Sequence, residues 1–201
     1  MTSEVFICNL ALDMLGTDTI ESLTQQYSDN AKVCNRWYHH VRRSMITELQ
    51  PSFAIKRVAL GVDDTATPIY GRTYAYTLPN KCLKILNIND PIEDLQDFQV
   101  EGDKLICDEP SPIYLRYLYD EEDVSLFDTD FVNVFAIELA LKISYKTTKN
   151  ADVLSYLEGR KSIAMYNCMF KYGKENKVTK INNNRATISR IGTYKTNGFL
   201  R

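Results

Sequence analysis

The prolines divide this chain. All six (Pro51, Pro68, Pro79, Pro91, Pro110 and Pro112) fall between positions 51 and 112, and neither the first 50 residues nor the last 89 contain one. Inside a helix, a proline removes a backbone hydrogen bond and clashes with the preceding turn, at a cost of about 3 kcal/mol or more. Long helices are therefore confined to the two ends. The middle must be built from short pieces joined by turns.

The proline-free ends carry helical periodicity. In residues 3–15 Val5, Cys8, Leu12 and Leu15 recur at spacings of three and four, with Ala11 beside them. Ser3 suits the N-cap and Gly16 the C-terminal stop. Residues 28–50 read as a longer helix, capped by Ser28 or Asp29 and ended by Pro51. Its apolar stripe is Ala31, Cys34, Trp37 or Tyr38, Val41, Met45 and Leu49, and its other face is basic, with Lys32, Arg36, Arg42 and Arg43. Residues 129–147, opening at Asp128 or Asp130, are apolar nearly all round, with Glu138 the one acid in the interior of the stretch. Such a helix belongs at the centre of a fold. A fourth helix is expected over 151–172, from a cap at Asn150 to a stop at Gly173.

The middle alternates instead. "YAYTLP" and "CLKILNI" have strand character, "DFQVEGDKLICD" reads as a hairpin turning at Gly102–Asp103, and "IYLRYLY" is rich in aromatic and branched residues. The expected fold is α+β: a mainly α-helical bundle of four helices, a small antiparallel β unit inserted over 74–119, and an extended C-terminal tail. The main domain would span 1–173 and the tail 174–201.

Charge is small overall, −2, but unevenly placed. Residues 90–130 hold fourteen acids against Lys104 and Arg116, a net of −12, whereas 174–201 hold seven bases against Glu175, a net of +6. An acidic middle and a basic tail can attract one another or neighbouring copies. An acidic chain is a poor general nucleic-acid binder. Tyrosine is common, at 13 copies, and its apolar ring with a polar tip suits surfaces buried against partners.

Catalytic patterns are missing. The sequence has no GxSxG, Walker loop, GxGxxG or HExxH. His39 and His40, the sole histidines, are adjacent, so they point about 100° apart on a helix and cannot readily share a metal. The acidic run at 120–130 lacks the glycine and spacing of a calcium loop and reads as a solvated loop before a helix. Cys8, Cys34, Cys82, Cys107 and Cys168 form no CxxC pair. Reduced, buried thiols in a cytosolic setting are expected, without metal or other cofactor. No apolar run reaches the length of a membrane span. The expectation is a non-enzymatic interaction protein.

Six stretches in order sharpen this: "NLALDMLG" (9–16), "IESLTQQYSDNA" (20–31), "CNRWYHHVRRSMITELQPSFAIKRVAL" (34–60), "YAYTLPNKCLKILNI" (74–88), "FQVEGDKLICDEPSPIYLRYL" (98–118) and "FVNVFAIELALKISY" (131–145). Together they resemble the tail tubular protein A family, the head-to-tail connector adaptors of short-tailed bacteriophages. Shared features are Ala-Leu-x-x-Leu-Gly at 11–16, Tyr-x-Leu-Pro ahead of Cys82-Leu83, and a Val-x-Gly hairpin at 100–102. Where that family has Pro-Trp this chain has Pro51-Ser52, and Asn80 and Lys81 precede Cys82.

The resemblance implies a structural virion protein assembled in the host cytoplasm. It implies a homo-oligomeric ring of about twelve subunits between the portal protein and the tail nozzle or a further ring protein. Genome DNA would pass through the lumen without sequence-specific binding, and neither catalysis nor a membrane is implied. Another phage connector or nozzle subunit is the alternative, and a nucleic-acid-binding regulator a more distant one. Lys32, Arg36, Arg42 and Arg43 would face a neighbouring subunit or the lumen.

Residues 181–201 are too polar to bury a core of their own. The expectation is a segment that orders on assembly, docked on the portal or a neighbour in extended form. Ile188, Ile191, Tyr194, Phe199 and Leu200 would anchor it, and Arg185, Arg190, Lys195 and Arg201 would face acid.

Overall fold

The computed structural model describes residues 2–25, 27–66, 68, 70–89, 97–147 and 150–176. These described residues contain four α-helices, α1 (Glu4–Met14), α2 (Asp29–Leu49), α3 (Thr129–Thr147) and α4 (Ala151–Glu175). Between α2 and α3 lie six strands: β1 (Ile55–Leu60), β2 (Tyr74–Thr77), β3 (Cys82–Ile88), β4 (Phe98–Glu101), β5 (Lys104–Cys107) and β6 (Ile113–Tyr119). The chain is α+β, as the proline distribution requires.

Local chemistry sets the helix ends. The Ser3 hydroxyl accepts from the Phe6 N–H at 3.1 Å and the Ser28 hydroxyl from the Ala31 N–H at 3.2 Å, which satisfies donors the helix cannot. At the end of α1, Gly16 takes φ +66°, its N–H donates to the Asp13 carbonyl, and the Thr17 N–H donates to the Leu12 carbonyl at 3.1 Å. That pairing reverses the chain and needs the left-handed conformation glycine adopts most easily. The loop beyond is pinned by Asn9, whose side-chain amide accepts from and donates to the Ile20 backbone at 2.8 and 2.9 Å.

Gly173 does not stop α4. The helix continues to Glu175 and ends at Asn176. The Asn176 backbone N–H donates to the Tyr172 carbonyl at 2.8 Å and its side chain donates to the Gln50 carbonyl at 2.9 Å. Contacts with the far end of α2 hold the last turn that a glycine alone would have released.

Three layers result. α3 is central to the helical layer, packing against α1, α2 and α4, and eleven of its nineteen residues are buried. An aromatic chain runs along it: Phe127 to Phe131 at 5.1 Å, Phe131 to Phe135 at 5.9 Å and Phe135 to Tyr38 of α2 at 5.0 Å, with Phe53 against both Phe127 and Phe131. Glu138 is buried here too, held by Lys142 at 3.3 Å and by Lys161 of α4 at 2.7 Å.

The β unit is larger than the expected 74–119 span and consists of two sheets. The first is antiparallel in the order β1-β6-β3, the second antiparallel in the order β2-β5-β4. Sequence alternation passed over β1 because it carries Lys56 and Arg57, yet it pairs in full with β6, from Ile55–Leu118 to Leu60–Ile113. β6 is central, so its two faces serve two cores. Leu118, with Ile55, Leu83 and Leu86, packs on the helices; Ile113, Leu115 and Tyr117 meet Tyr76, Leu105 and Cys107 of the second sheet. The expected hairpin is β4–β5, with Gly102 at φ +61° in its turn.

Phe131 joins the largest number of these rings and is fully buried. Phe131→Ala should lower the unfolding free energy by about 3–5 kcal/mol, measured by denaturant titration; a change below about 1 kcal/mol would show that this aromatic chain is not the centre of the core.

Candidate assembly surfaces

The basic face expected on α2 splits in two. Arg42 is not on the surface. Its side chain is 1% exposed, and one terminal nitrogen donates to the Asp120 carboxylate at 2.9 Å and to Glu122 at 3.3 Å. Arg43 reaches the other Asp120 oxygen through Nε at 2.8 Å while remaining more than half exposed. Asp120 itself is 3% exposed. Removing one partner of such a buried pair strands the other charge, at about 3–5 kcal/mol. Arg42 is therefore an internal structural residue, and its assignment to a subunit contact or lumen is corrected.

The same geometry corrects the reading of residues 120–130 as a solvated loop at its first two positions: Asp120 and Glu121 are buried, whereas Glu122, Asp123 and Asp130 are exposed ahead of α3. The Asp120 N–H donates to the Lys81 carbonyl at 2.8 Å, Lys81 Nζ donates to Glu122 at 2.7 Å, and Lys56 meets Glu121 at 3.1 Å. The Lys81 ammonium holds the Glu122 carboxyl below its ordinary range despite some desolvation. Part of the acidic excess is thus consumed inside the fold, closing the junction of α2, β1, β3 and β6.

A spacing signal for Arg42 exists. Tyr38, Arg42, Met45 and Leu49 lie four, three and four residues apart, which is the buried stripe of a helix. The residue's charge outweighed its position. Lys32 and Arg36, in contrast, are exposed. Lys32 pairs with the exposed Asp29 at 3.2 Å, and both basic residues line a shallow depression of about 250 Å³ that also includes Lys146 from the end of α3. The tail residues Arg185, Ile188, Arg190, Ile191, Tyr194, Phe199 and Leu200 lie outside the described residues.

A second positive site lies on the first sheet. Arg57 and Arg116 are direct cross-strand partners. Like charges placed so repel each other. Arg116 donates to the Asn176 side chain at 3.3 Å, and burial together with Arg57 pushes its guanidinium below the ordinary range. Its Nε is buried and has no partner among the described residues. The pair lines a cleft of about 510 Å³ with Asn87, Asn89 and Tyr114.

Chemistry is sparse. Among the described residues no three His, Cys, Asp or Glu side chains converge as metal ligands. His40 packs edge-on against Trp37 at 5.8 Å while His39 sits against Tyr38 and Arg42, so the two do not converge. All five cysteines are free. Cys8 and Cys34 share a hydrogen bond that raises the Cys8 thiol, with burial adding to it, and lowers the Cys34 thiol. No helix is long and apolar enough among the described residues to cross a membrane.

Aromatic exposure is the surface property that sequence reasoning anticipated only as a tyrosine count. Tyr27, Tyr70 and Tyr145 are at least 88% exposed, and Tyr114, Tyr156, Tyr166 and Phe170 more than half. Tyr145 lies on α3, Tyr156, Tyr166 and Phe170 on α4, Tyr114 on β6, and Tyr27 and Tyr70 in loops. The chain matches no protein-family model and no curated protein sequence.

Two outcomes follow from the ion-pair geometry. Arg42→Ala should lower the unfolding free energy by about 3–5 kcal/mol, and Arg43→Ala, at a half-exposed position, by about 1 kcal/mol or less; equal effects in thermal or denaturant unfolding would contradict the burial difference. Asp63, held by Lys104, Asp108, held by Arg72, and Glu122 all have depressed carboxyl pKa values. A depressed folded value contributes stability that is complete above the unfolded value and is lost as pH falls through the folded one. The melting temperature should stay level from about pH 8 to 5 and fall below about pH 4; a maximum at pH 3 would overturn this reading.

Proposed function

We propose that this chain is a structural head-to-tail adaptor of a short-tailed bacteriophage, several copies of which form a ring between the portal and the tail nozzle while the genome passes through the lumen. The observation that carries the reading is the exposure of large aromatic side chains on α3, α4 and β6 and in the loops at Tyr27 and Tyr70. In a ring subunit, neighbours on two sides would cover such aromatic area. The ordered motifs from Ala11-Leu12-x-x-Leu15-Gly16 to the Val100-x-Gly102 hairpin support the same reading.

The ring needs two different complementary faces on each copy. Lys32, Arg36 and Lys146 supply a positive one, and the Arg57–Arg116 pair another. The acid-rich loops supply negative charge: Asp97, Asp103 and Asp108 are each at least half exposed. In this reading residues 185–201 dock on the portal, with Ile188, Ile191, Tyr194, Phe199 and Leu200 as anchors.

Native mass spectrometry of the chain mixed with the portal ring of the same virion tests this. The expected product carries a fixed multi-copy complement of the chain on each portal, and deleting residues 185–201 should abolish it. Failure to bind the portal, together with salt-sensitive binding to duplex DNA, would favour a nucleic-acid-binding regulator instead.

A further inference from the structure

α4 buries one side of itself: Leu157, Met165, Cys168 and Tyr172 lie in the helical core. Its opposite side carries a second stripe, Tyr156, Gly159, Ile163, Tyr166, Phe170 and Gly173, spaced 3, 4, 3, 4 and 3. Those are the two seam positions of a heptad repeat. The four large side chains are 57–70% exposed. Each glycine faces open space, since an added Cβ would meet nothing within 4 Å. Glycine inside a helix is destabilising, and no contact within the chain calls for it at either position. A stripe of exposed aromatics interrupted by unneeded glycines has the composition of a helix–helix seam without its second helix.

We propose that this face of α4 pairs with the same face of a second copy of the chain, as an antiparallel helix pair. Laid antiparallel, the stripe fits itself, because the numbers of each facing pair sum to one value. Tyr156 stands over the partner's Gly173, Phe170 over the partner's Gly159, and Ile163 against the partner's Tyr166. Two of the three rings meet a glycine, and the third meets the branched Ile163. Laid parallel, glycine would face glycine and leave voids, while Tyr166 and Phe170 would each meet their own copy.

Charge selects the same direction. Asp152 lies in the first turn of α4 and Lys174 in the last. The antiparallel pair brings the partner's Lys174 within a turn of Asp152 and opposes the helix dipoles, whereas a parallel pair sets like charges together. The basic stretch 177–201 of the same chain is a poorer occupant, because Arg160 and Lys174 flank the seam. Four partly exposed side chains of this size remove on the order of 500 Å² per copy from water, so the total of about 1,000 Å² sits at the low end of specific interfaces. The association is reversible and depends on concentration.

This pairing does not rest on the adaptor reading and uses none of its basic residues, although it takes Tyr156, Tyr166 and Phe170 from the exposed aromatics that reading invokes. A two-fold contact cannot propagate around a ring, so it belongs to the free protein. Portal binding without self-association rejects the pairing alone, and self-association without portal binding rejects the adaptor alone.

Sedimentation velocity of the full chain over a concentration series is the test. The expected result is a monomer–dimer equilibrium weakened about tenfold or more by Ile163→Glu, which buries an unpaired carboxylate in the seam, with an unchanged circular dichroism spectrum. Gly159→Gln separates the seam from mere helix stability. Glutamine is a better helix former than glycine and meets open space, so the melting temperature should rise while association weakens. A chain that stays monomeric at every concentration overturns the proposal, as does association unmoved by both substitutions. A dimer that forms only after residues 177–201 are deleted overturns it too, by showing that the tail occupies the seam.

Discussion

The buried ion pair between Arg42 and Asp120 is the contact on which the rest of the arrangement depends. It joins positions 78 residues apart. Arg42 comes from the buried face of α2, and Asp120 follows directly on β6, the central strand of the first sheet. The pair thereby fixes how the helical layer sits on the sheet. Its surroundings complete it: Arg43 takes the second Asp120 oxygen, Glu122 takes Arg42 and Lys81, and the Asp120 backbone anchors the start of β3 through the Lys81 carbonyl. A charge in such a place is tolerable only when both members are present and hydrogen-bonded. An apolar pair could have supplied comparable stability. It would not have demanded one registration of helix against sheet, because dispersion contacts are not directional.

That registration leaves β6 with two loaded faces, and the layered order follows. Leu118 belongs to the helical core and Leu115 to the core between the sheets, three residues away on the same strand. The helical layer is bound together more tightly than the second sheet, since α3 touches the other three helices and buries most of its length. Function, in the reading advanced above, resides in what these layers leave outside. The exposed tyrosines, the Lys32–Arg36–Lys146 depression, the Arg57–Arg116 cleft and the outer face of α4 are the surfaces left open to a partner.

Legibility varied with the range of the interaction responsible. Ser3, Gly16 and Ser28 could be assigned because a cap is made within three or four residues. α3 could be placed at the centre because its apolar run is continuous. β1 escaped because its partner residues lie 53 to 63 positions farther along and its lysine and arginine mask the alternation. The end of α4 was misplaced at Gly173 for a similar reason: the bonds that carry it to Asn176 come from Gln50 and Arg116, on other elements. The α4 outer stripe had the required period in the sequence, but so did the inner one, and only the packing distinguished the face that is covered from the face that is not.

The sequence by itself therefore determined where helices could exist, how most of them begin, which is central, and where the β4–β5 hairpin turns. These depend on proline, glycine, caps and periodicity, all of which act over a few bonds. Tertiary structure alone decided that Arg42, Asp120 and Glu138 would be inside, that the strands would divide into two sheets, and which aromatic residues would remain in water. A charged side chain is equally at home on a surface or in a buried pair, and the difference is made by a partner that the chain brings from far away.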